Sequence, residues 1–172
     1  NTVIDEERRL SFVNFGEIVA SHLAAVRHMS QYALVPLGER FGTVVTSAAG
    51  YPLDKTYYQT VKGMVTPIEI MAPGGDLIIA SACSEGMSSR EFADAQRRLV
   101  ERGPERFLEE ISAKRFADID EWQTEMQLKP MRVGRVQLYS DGLDAEARRL
   151  TGVEMIDSVA EAVAASVART GD

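Results

Sequence analysis

The sequence predicts an α/β fold, an open Rossmann-like sandwich with a mostly parallel sheet and helices on both faces. Two observations predict it. Candidate strands alternate with candidate helices along most of the chain, and the central candidate strands, Gly42–Ser47, Asp76–Cys83 and Arg135–Tyr139, are short β-branched or near-continuous apolar runs. Strands of that composition are buried on both faces, the pattern of a parallel sheet covered by helices. With 172 residues, 45% hydrophobic and 26% charged, the chain is long enough to bury a core of its own, and residues 1–172 are expected to form a single domain.

Taken in order, Thr2–Ile4 and Leu10–Phe15 flank the charged segment Asp5–Arg9 and predict an edge hairpin. Glu17–Val35 predicts a helix, because Ile18, Val19, His22, Leu23, Val26, Met29 and Ala33 recur at helical spacing before Pro36 and Gly38 stop it. After the strand Gly42–Ser47 comes a loop, Ala48–Leu53, with Gly50 and Pro52. Asp54 then suits the N-cap of a helix over Lys55–Met64. Thr66, Pro67 and Glu69 fit the start of a second short helix, Thr66–Met71. Pro73-Gly74-Gly75 reads as a turn into the strand Asp76–Cys83. A helical stretch over Ser88–Arg132 is broken at Gly103-Pro104 and around Ala117–Asp118. The strand Arg135–Tyr139, a helix Asp144–Thr151, a short strand Val153–Ile156 and a last helix Asp157–Arg169, capped by Asp157, complete the chain. The chain starts inside an element and stops just after a helix that Gly171 suits as a cap. An excised domain is therefore expected, with a mature protein trimmed at both ends as the alternative.

Composition narrows the function. Acidic residues outnumber basic ones by 26 to 19, a net charge of −7, whereas a nucleic-acid binder needs a basic face to displace phosphate counterions. One cysteine, Cys83, excludes an intrachain disulfide and fits a cytoplasmic location. With only His22 and His28 beside it, an all-protein transition-metal site is not expected. No apolar run reaches the roughly 18 residues a membrane helix needs.

In open α/β sheets ligands bind beyond the carboxyl ends of the strands, which singles out Ser47–Asp54 and Cys83–Ser88. Just past the first loop, Tyr58 and Lys62 lie four apart and Gln59 and Lys62 three apart, so the three share one helix face. A phenol, a carboxamide and an ammonium together suit a small oxyanion: lysine supplies charge, the other two oriented hydrogen bonds. A solvated face of an amphipathic helix is the alternative. The segment is no phosphate loop, and no strand is followed by a Gly-x-Gly-x-x-Gly fingerprint. In the second loop Gly86 permits a turn and the serines after it suit helix capping. Cys83 reads as a buried structural thiol, His22 and His28 as packing or surface residues, and Trp122, taken alone, as a half-buried core residue.

From Val44 to Asp54, through Gly50-Tyr51-Pro52-Leu53-Asp54, and then over Tyr58-Gln59-Thr60-Val61-Lys62-Gly63-Met64, the sequence resembles the C-terminal domain of the nickel-dependent lactate racemase family. Pro73-Gly74-Gly75, Ile78-Ile79, Cys83-Ser84-Glu85-Gly86 and Trp122-Gln123 extend the resemblance over most of the chain. It implies a two-domain enzyme that inverts 2-hydroxy acids by hydride transfer with a nickel-pincer nucleotide. The cofactor lysine, the nickel-binding histidine and the paired acid/base histidines belong to the family's N-terminal domain, and this chain has no counterpart to them. What carries over is substrate binding: Tyr58, Gln59 and Lys62 face the substrate, with Gln59 and Lys62 toward its carboxylate or other oxygens, and Trp122 packs near substrate and cofactor. The implied partners are the N-terminal domain of the same parent chain and a small 2-hydroxy acid. Ala48-Ala49 stand where many relatives carry a polar pair, which leaves the choice of hydroxy acid open. A non-catalytic module that binds an anionic metabolite, and an oligomerisation or scaffold domain, are the competing readings.

Overall fold

A computed structural model describes residues 1–172. Its contacts fall into two compact units, Asn1–Gly38 and Glu39–Asp172.

In the first unit, β1 (Thr2–Ile4) and β2 (Leu10–Val13) pair antiparallel, with Val3 opposite Phe12. They form a two-stranded sheet of their own and are not an edge of the larger sheet, as had been expected. The Asp5 carboxylate closes their turn by accepting from the backbone N–H of Glu7 (3.0 Å) and Arg9 (2.8 Å). Helix α1 (Ile18–Ala33) starts at Glu17, whose carboxylate accepts from Val19 N (3.1 Å) and Ala20 N (2.8 Å). His28 stacks on Phe12 at 4.7 Å and so packs within the unit, while His22 is exposed. The periodic apolar stripe that predicts this helix (Ile18, Val19, Leu23, Val26, Met29) is left exposed.

The second unit is built on four parallel strands in the order β3 (Phe41–Ser47), β4 (Met71–Ala80), β5 (Arg135–Tyr139), β6 (Glu154–Ile156). An order without reversal, joined by right-handed crossovers, places every connecting helix on one face. These helices are α2 (Tyr57–Val65), α3 (Arg90–Arg102), α4 (Pro104–Ser112), α5 (Glu121–Val133) and α6 (Ala145–Leu150). The last helix, α7 (Val159–Thr170), returns across the other face. Strand side chains alternate accordingly. Val44, Leu77, Ile79, Val136 and Leu138 join Tyr57, Val61, Met64, Phe92 and Ala147 in the main core. Thr43 and Asp76 turn the other way, toward α7: the Thr43 hydroxyl lies 2.7 Å from that of Ser166, and Asp76 meets Arg169 at 2.9 Å.

Several local expectations are corrected. Asp54 does not cap α2; its carboxylate accepts from Ala82 N (3.1 Å), and Thr56 caps the helix two residues later. Thr66 ends α2, its hydroxyl donating to Lys62 O, so the second helix shrinks to a 3-10 turn over Ile68–Ile70. Pro73-Gly74-Gly75 lies inside β4 as an irregularity of register: Phe41 pairs with Met71 but Thr43 with Asp76, so extra β4 residues are accommodated there. Gly75 permits this, because a Cβ there would lie 2.7 Å from Gly42 O and 3.0 Å from Ala72 O, and Gly134 lets β5 approach, since a Cβ on it would sit 2.1 Å from Gly75 O. Ser158, not Asp157, caps α7, accepting from Glu161 N (3.2 Å), while Gly171 closes it in the left-handed conformation, φ 88°.

Gly63 sets the height of α2 on the sheet. A Cβ there would lie 2.6 Å from Ser47 O and 3.0 Å from Ile79 Cδ1. Backbone cannot yield as a flexible side chain can, so Gly63→Ala is expected to lift α2 from β3 and cost about 1–3 kcal/mol. Chemical denaturation of the 172-residue chain measures it; an unchanged midpoint would show that the helix is not held at that height by the close contact.

Candidate functional site

The loops leaving the carboxyl ends of β3 and β4 are laced together. Cys83 N donates to Asp54 O (2.8 Å), Glu85 N donates to Lys55 O (2.7 Å), and Lys55 pairs with Glu85. The second loop then receives the start of α2. Tyr57 N donates to Gly86 O (2.9 Å) and Tyr58 N to Met87 O (3.2 Å). These are first-turn donors with no partner inside the helix, so the loop both satisfies them and fixes where α2 begins. Cys83 is buried, with its sulfur 3.3 Å from the Thr60 hydroxyl, the structural thiol expected of it. Ser89 caps α3, accepting from Phe92 N (3.1 Å).

On this fixed helix Tyr58 and Gln59 are half-buried and Lys62 is exposed. The Lys62 ammonium stands 5.4 Å from the centroid of the Tyr58 ring, within range for a cation–π contact. The chain has four lysines. Lys55, Lys114 and Lys129 each have a carboxylate within 4.0 Å, whereas Lys62 has none. An unpaired ammonium beside an aromatic face is open to an external anion. The Gln59 carboxamide makes no hydrogen bond to the rest of the chain, so its donor and acceptor are also free. Burial raises the Tyr58 phenol above its ordinary range, assisted by the charge of Asp120, and an ordinary phenol is already a protonated donor at neutral pH.

Trp122 comes from α5. It is 51% exposed rather than in the core, and its ring meets that of Tyr58 edge-on, centroids 6.1 Å apart and planes at 90°. Phe92 also meets Tyr58 edge-on, centroids 5.2 Å apart. Lys62, Tyr58 and Trp122 therefore form one continuous cation–aromatic wall, and Gln59 neighbours Tyr58 on the same helix. The sequence assigns no role to the two residues that flank Trp122. Glu121 and Gln123 are both 1% exposed. Glu121 pairs with Arg98 and Lys114 and accepts from Asp118 N (2.9 Å), while Gln123 Nε2 donates to Tyr58 O (2.7 Å). Gln123 enters the family resemblance beside Trp122, but nothing in the run Asp120-Glu121-Trp122-Gln123 marks either residue as buried, since polar neighbours of a surface aromatic are ordinarily solvated.

Fold and site together define an α/β domain that carries an unpaired ammonium and a free carboxamide on a helix beyond the carboxyl end of a parallel sheet. The family model described as lactate racemase C-terminal domain matches residues 39–172, so the chain belongs to that family. The match coincides with the second compact unit. The chain is 26% identical over 156 residues to a lactate racemase of Thermoanaerobacterium thermosaccharolyticum, covering 85% of this chain and 34% of that protein. It is 25% identical over 177 residues to one of Lactiplantibacillus plantarum, covering 99% of this chain and 40% of that protein. It thus spans between a third and two-fifths of these relatives. Its fold matches the solved apoprotein of the T. thermosaccharolyticum lactate racemase with a TM-score of 0.82 at 24% identity, covering 98% of this chain and 40% of that one.

Proposed function

We propose that this chain is the C-terminal, cleft-closing domain of a 2-hydroxyacid racemase or epimerase, and that the Tyr58/Gln59/Lys62 face of α2 receives the substrate. The observation that carries it is the unpaired ammonium of Lys62 on that face. Lys62 and Gln59 would hold the substrate carboxylate, one by charge and the other by a directed hydrogen bond. Tyr58 would donate to a substrate oxygen, and Trp122 would cover the apolar side and exclude water. Inversion requires the α-carbon to pass through a planar state, so the carboxylate must stay anchored while the carbon flattens.

No group of three or more His, Cys, Asp or Glu side chains in this chain is placed to hold a bare metal ion. In the proposed enzyme, cofactor, hydride transfer and acid/base groups belong to an N-terminal domain of the same parent chain. The exposed apolar stripe of α1 supports such a partner, and the lone thiol supports a cytoplasmic location. No helix is long and apolar enough to cross a membrane.

With half of the cleft elsewhere, the 172-residue chain alone is expected to be folded, inactive and unable to bind a 2-hydroxy acid at micromolar strength. Isothermal titration with the enantiomers of lactate checks this. Micromolar binding by the isolated chain would overturn the proposal in favour of a self-sufficient module for anionic metabolites.

A further inference from the structure

We infer that Glu121 and Gln123 are positioning residues: they clamp the first turn of α5 so that Trp122 is held against Tyr58, making α2 and α5 one rigid wall. The inference rests on the reading of α2 as the substrate face and adds what holds that face in shape.

Three consecutive residues carry it. Glu121 is buried, Trp122 is exposed, and Gln123 is buried. A carboxylate and a carboxamide are thus taken out of water on either side of an indole that remains in it. Burying such groups is costly unless each is fully engaged, and well-packed apolar residues would serve stability as well or better. Both are engaged with other elements. Glu121 reaches Arg98 on α3 and Lys114 after α4, and accepts from Asp118 N at 2.9 Å. Burial opposes its ionisation, but the hydrogen bonds from Lys114, Arg98 and the Asp118 backbone outweigh that and hold its carboxyl at about 2. Gln123 reaches the other way, donating to the carbonyl of Tyr58 at 2.7 Å. That carbonyl belongs to the residue whose ring meets Trp122 at 6.1 Å. Backbone and ring of Tyr58 are therefore both gripped from α5.

The turn into α5 needs such a grip. Asp120 stands in the left-handed region, φ 65°, and gives the helix no side-chain cap. Its carboxylate instead accepts from the Ser89 hydroxyl at 2.7 Å. Glu121 supplies the missing fixation by holding Asp118 N, and the ion pairs tie the same turn to α3. With either buried group removed, the indole would keep its exposure but lose its orientation.

Trp122 is the only tryptophan, so the emission of the intact 172-residue chain reports on it alone. Gln123→Met keeps the side-chain length and removes the donor; Glu121→Gln keeps the shape and removes the charge. In time-resolved fluorescence anisotropy, the fast local component of Trp122 is expected to grow about twofold or more in each variant, with the overall tumbling time unchanged. Arg98→Met, which removes one of the two cations from Glu121, is expected to move it in the same direction and serves if the others fail to fold. Unchanged anisotropy decays in the folded variants would overturn the clamp. In the parent enzyme Gln123→Met is expected to raise KM for the hydroxy acid about tenfold. A looser indole with unchanged KM and kcat would leave the clamp standing and refute the substrate role of the wall.

Discussion

Replacing Lys62 by alanine in the parent enzyme is expected to lower kcat/KM for the hydroxy acid by about 100-fold or more. The size follows from the role proposed for the ammonium. It is the one lysine of this chain without a carboxylate partner, so its removal breaks no ion pair within the fold and the loss falls on the ligand. A charge-assisted hydrogen bond to a carboxylate in a closed, water-poor cleft is worth about 2–3 kcal/mol, and 100-fold corresponds to about 2.7 kcal/mol. The exposed position of Lys62 on α2 means the variant should fold as the wild type does, which circular dichroism and thermal melting check. Arginine in its place should restore little, because a planar fork is longer and shaped differently from a compact ammonium.

The largest expected effect on stability lies on the opposite face of the sheet. Asp76 is fully buried, and its carboxylate meets Arg135 at 2.8 Å and Arg169 at 2.9 Å. Burial pushes its carboxyl up, but the hydrogen bonds from Arg135, Ser166 and Arg169 outweigh it and hold the carboxyl down at about 2. Asp76→Asn leaves two guanidinium groups facing a neutral amide. Both guanidinium groups are half-exposed and stay solvated, so the cost is that of the lost charge-assisted hydrogen bonds, about 2–3 kcal/mol, read as a fall in the denaturation midpoint of the 172-residue chain. The pH dependence has a definite sign. The folded carboxyl lies below its unfolded value of 3.8. Its contribution is therefore complete above that value and is lost as pH falls through it toward about 2. Glu121, lowered from 4.5 to about 2, adds in the same window. Wild type should thus lose stability between pH 4.5 and 2 more steeply than Asp76→Asn does. Parallel pH profiles for the two would show that ionisation of Asp76 contributes no net stability.

Much of the domain was legible in the sequence because burial on both faces leaves a direct mark. The runs Gly42–Ser47, Asp76–Cys83 and Arg135–Tyr139 are the apolar or β-branched precursors of β3, β4 and β5, and each supplied a parallel strand, although β4 starts earlier and ends at Ala80. Helix starts were less legible, because several residues near each start are able to cap and tertiary partners choose among them. Asp54 was taken by Ala82 N, which left Thr56 to cap α2. Pro73-Gly74-Gly75 carries every local sign of a turn, yet strand pairing on both sides draws it into β4. The α1 stripe misled in another way: its periodicity correctly predicts a helix, but periodicity does not say what covers the apolar face.

For the site, spacing alone brought Tyr58, Gln59 and Lys62 onto one face, since all three lie on one helix. It did not reach Trp122, which meets Tyr58 only through the docking of α5 on α2. Nor did it reach Glu121 and Gln123, whose burial depends on Arg98, Lys114 and the Tyr58 carbonyl, each on a different element or loop.

The most direct measurement is the interconversion of lactate enantiomers, followed by chiral chromatography, by the parent enzyme with and without Lys62→Ala, with the 172-residue chain alone as a third sample. The expected result is racemisation by the parent, none by the isolated chain, and a loss of about 100-fold or more on removing the ammonium. Racemisation by the Lys62→Ala enzyme within two- to threefold of the parent's, roughly the scale of an ordinary surface substitution, would contradict the assignment of α2 as the substrate face.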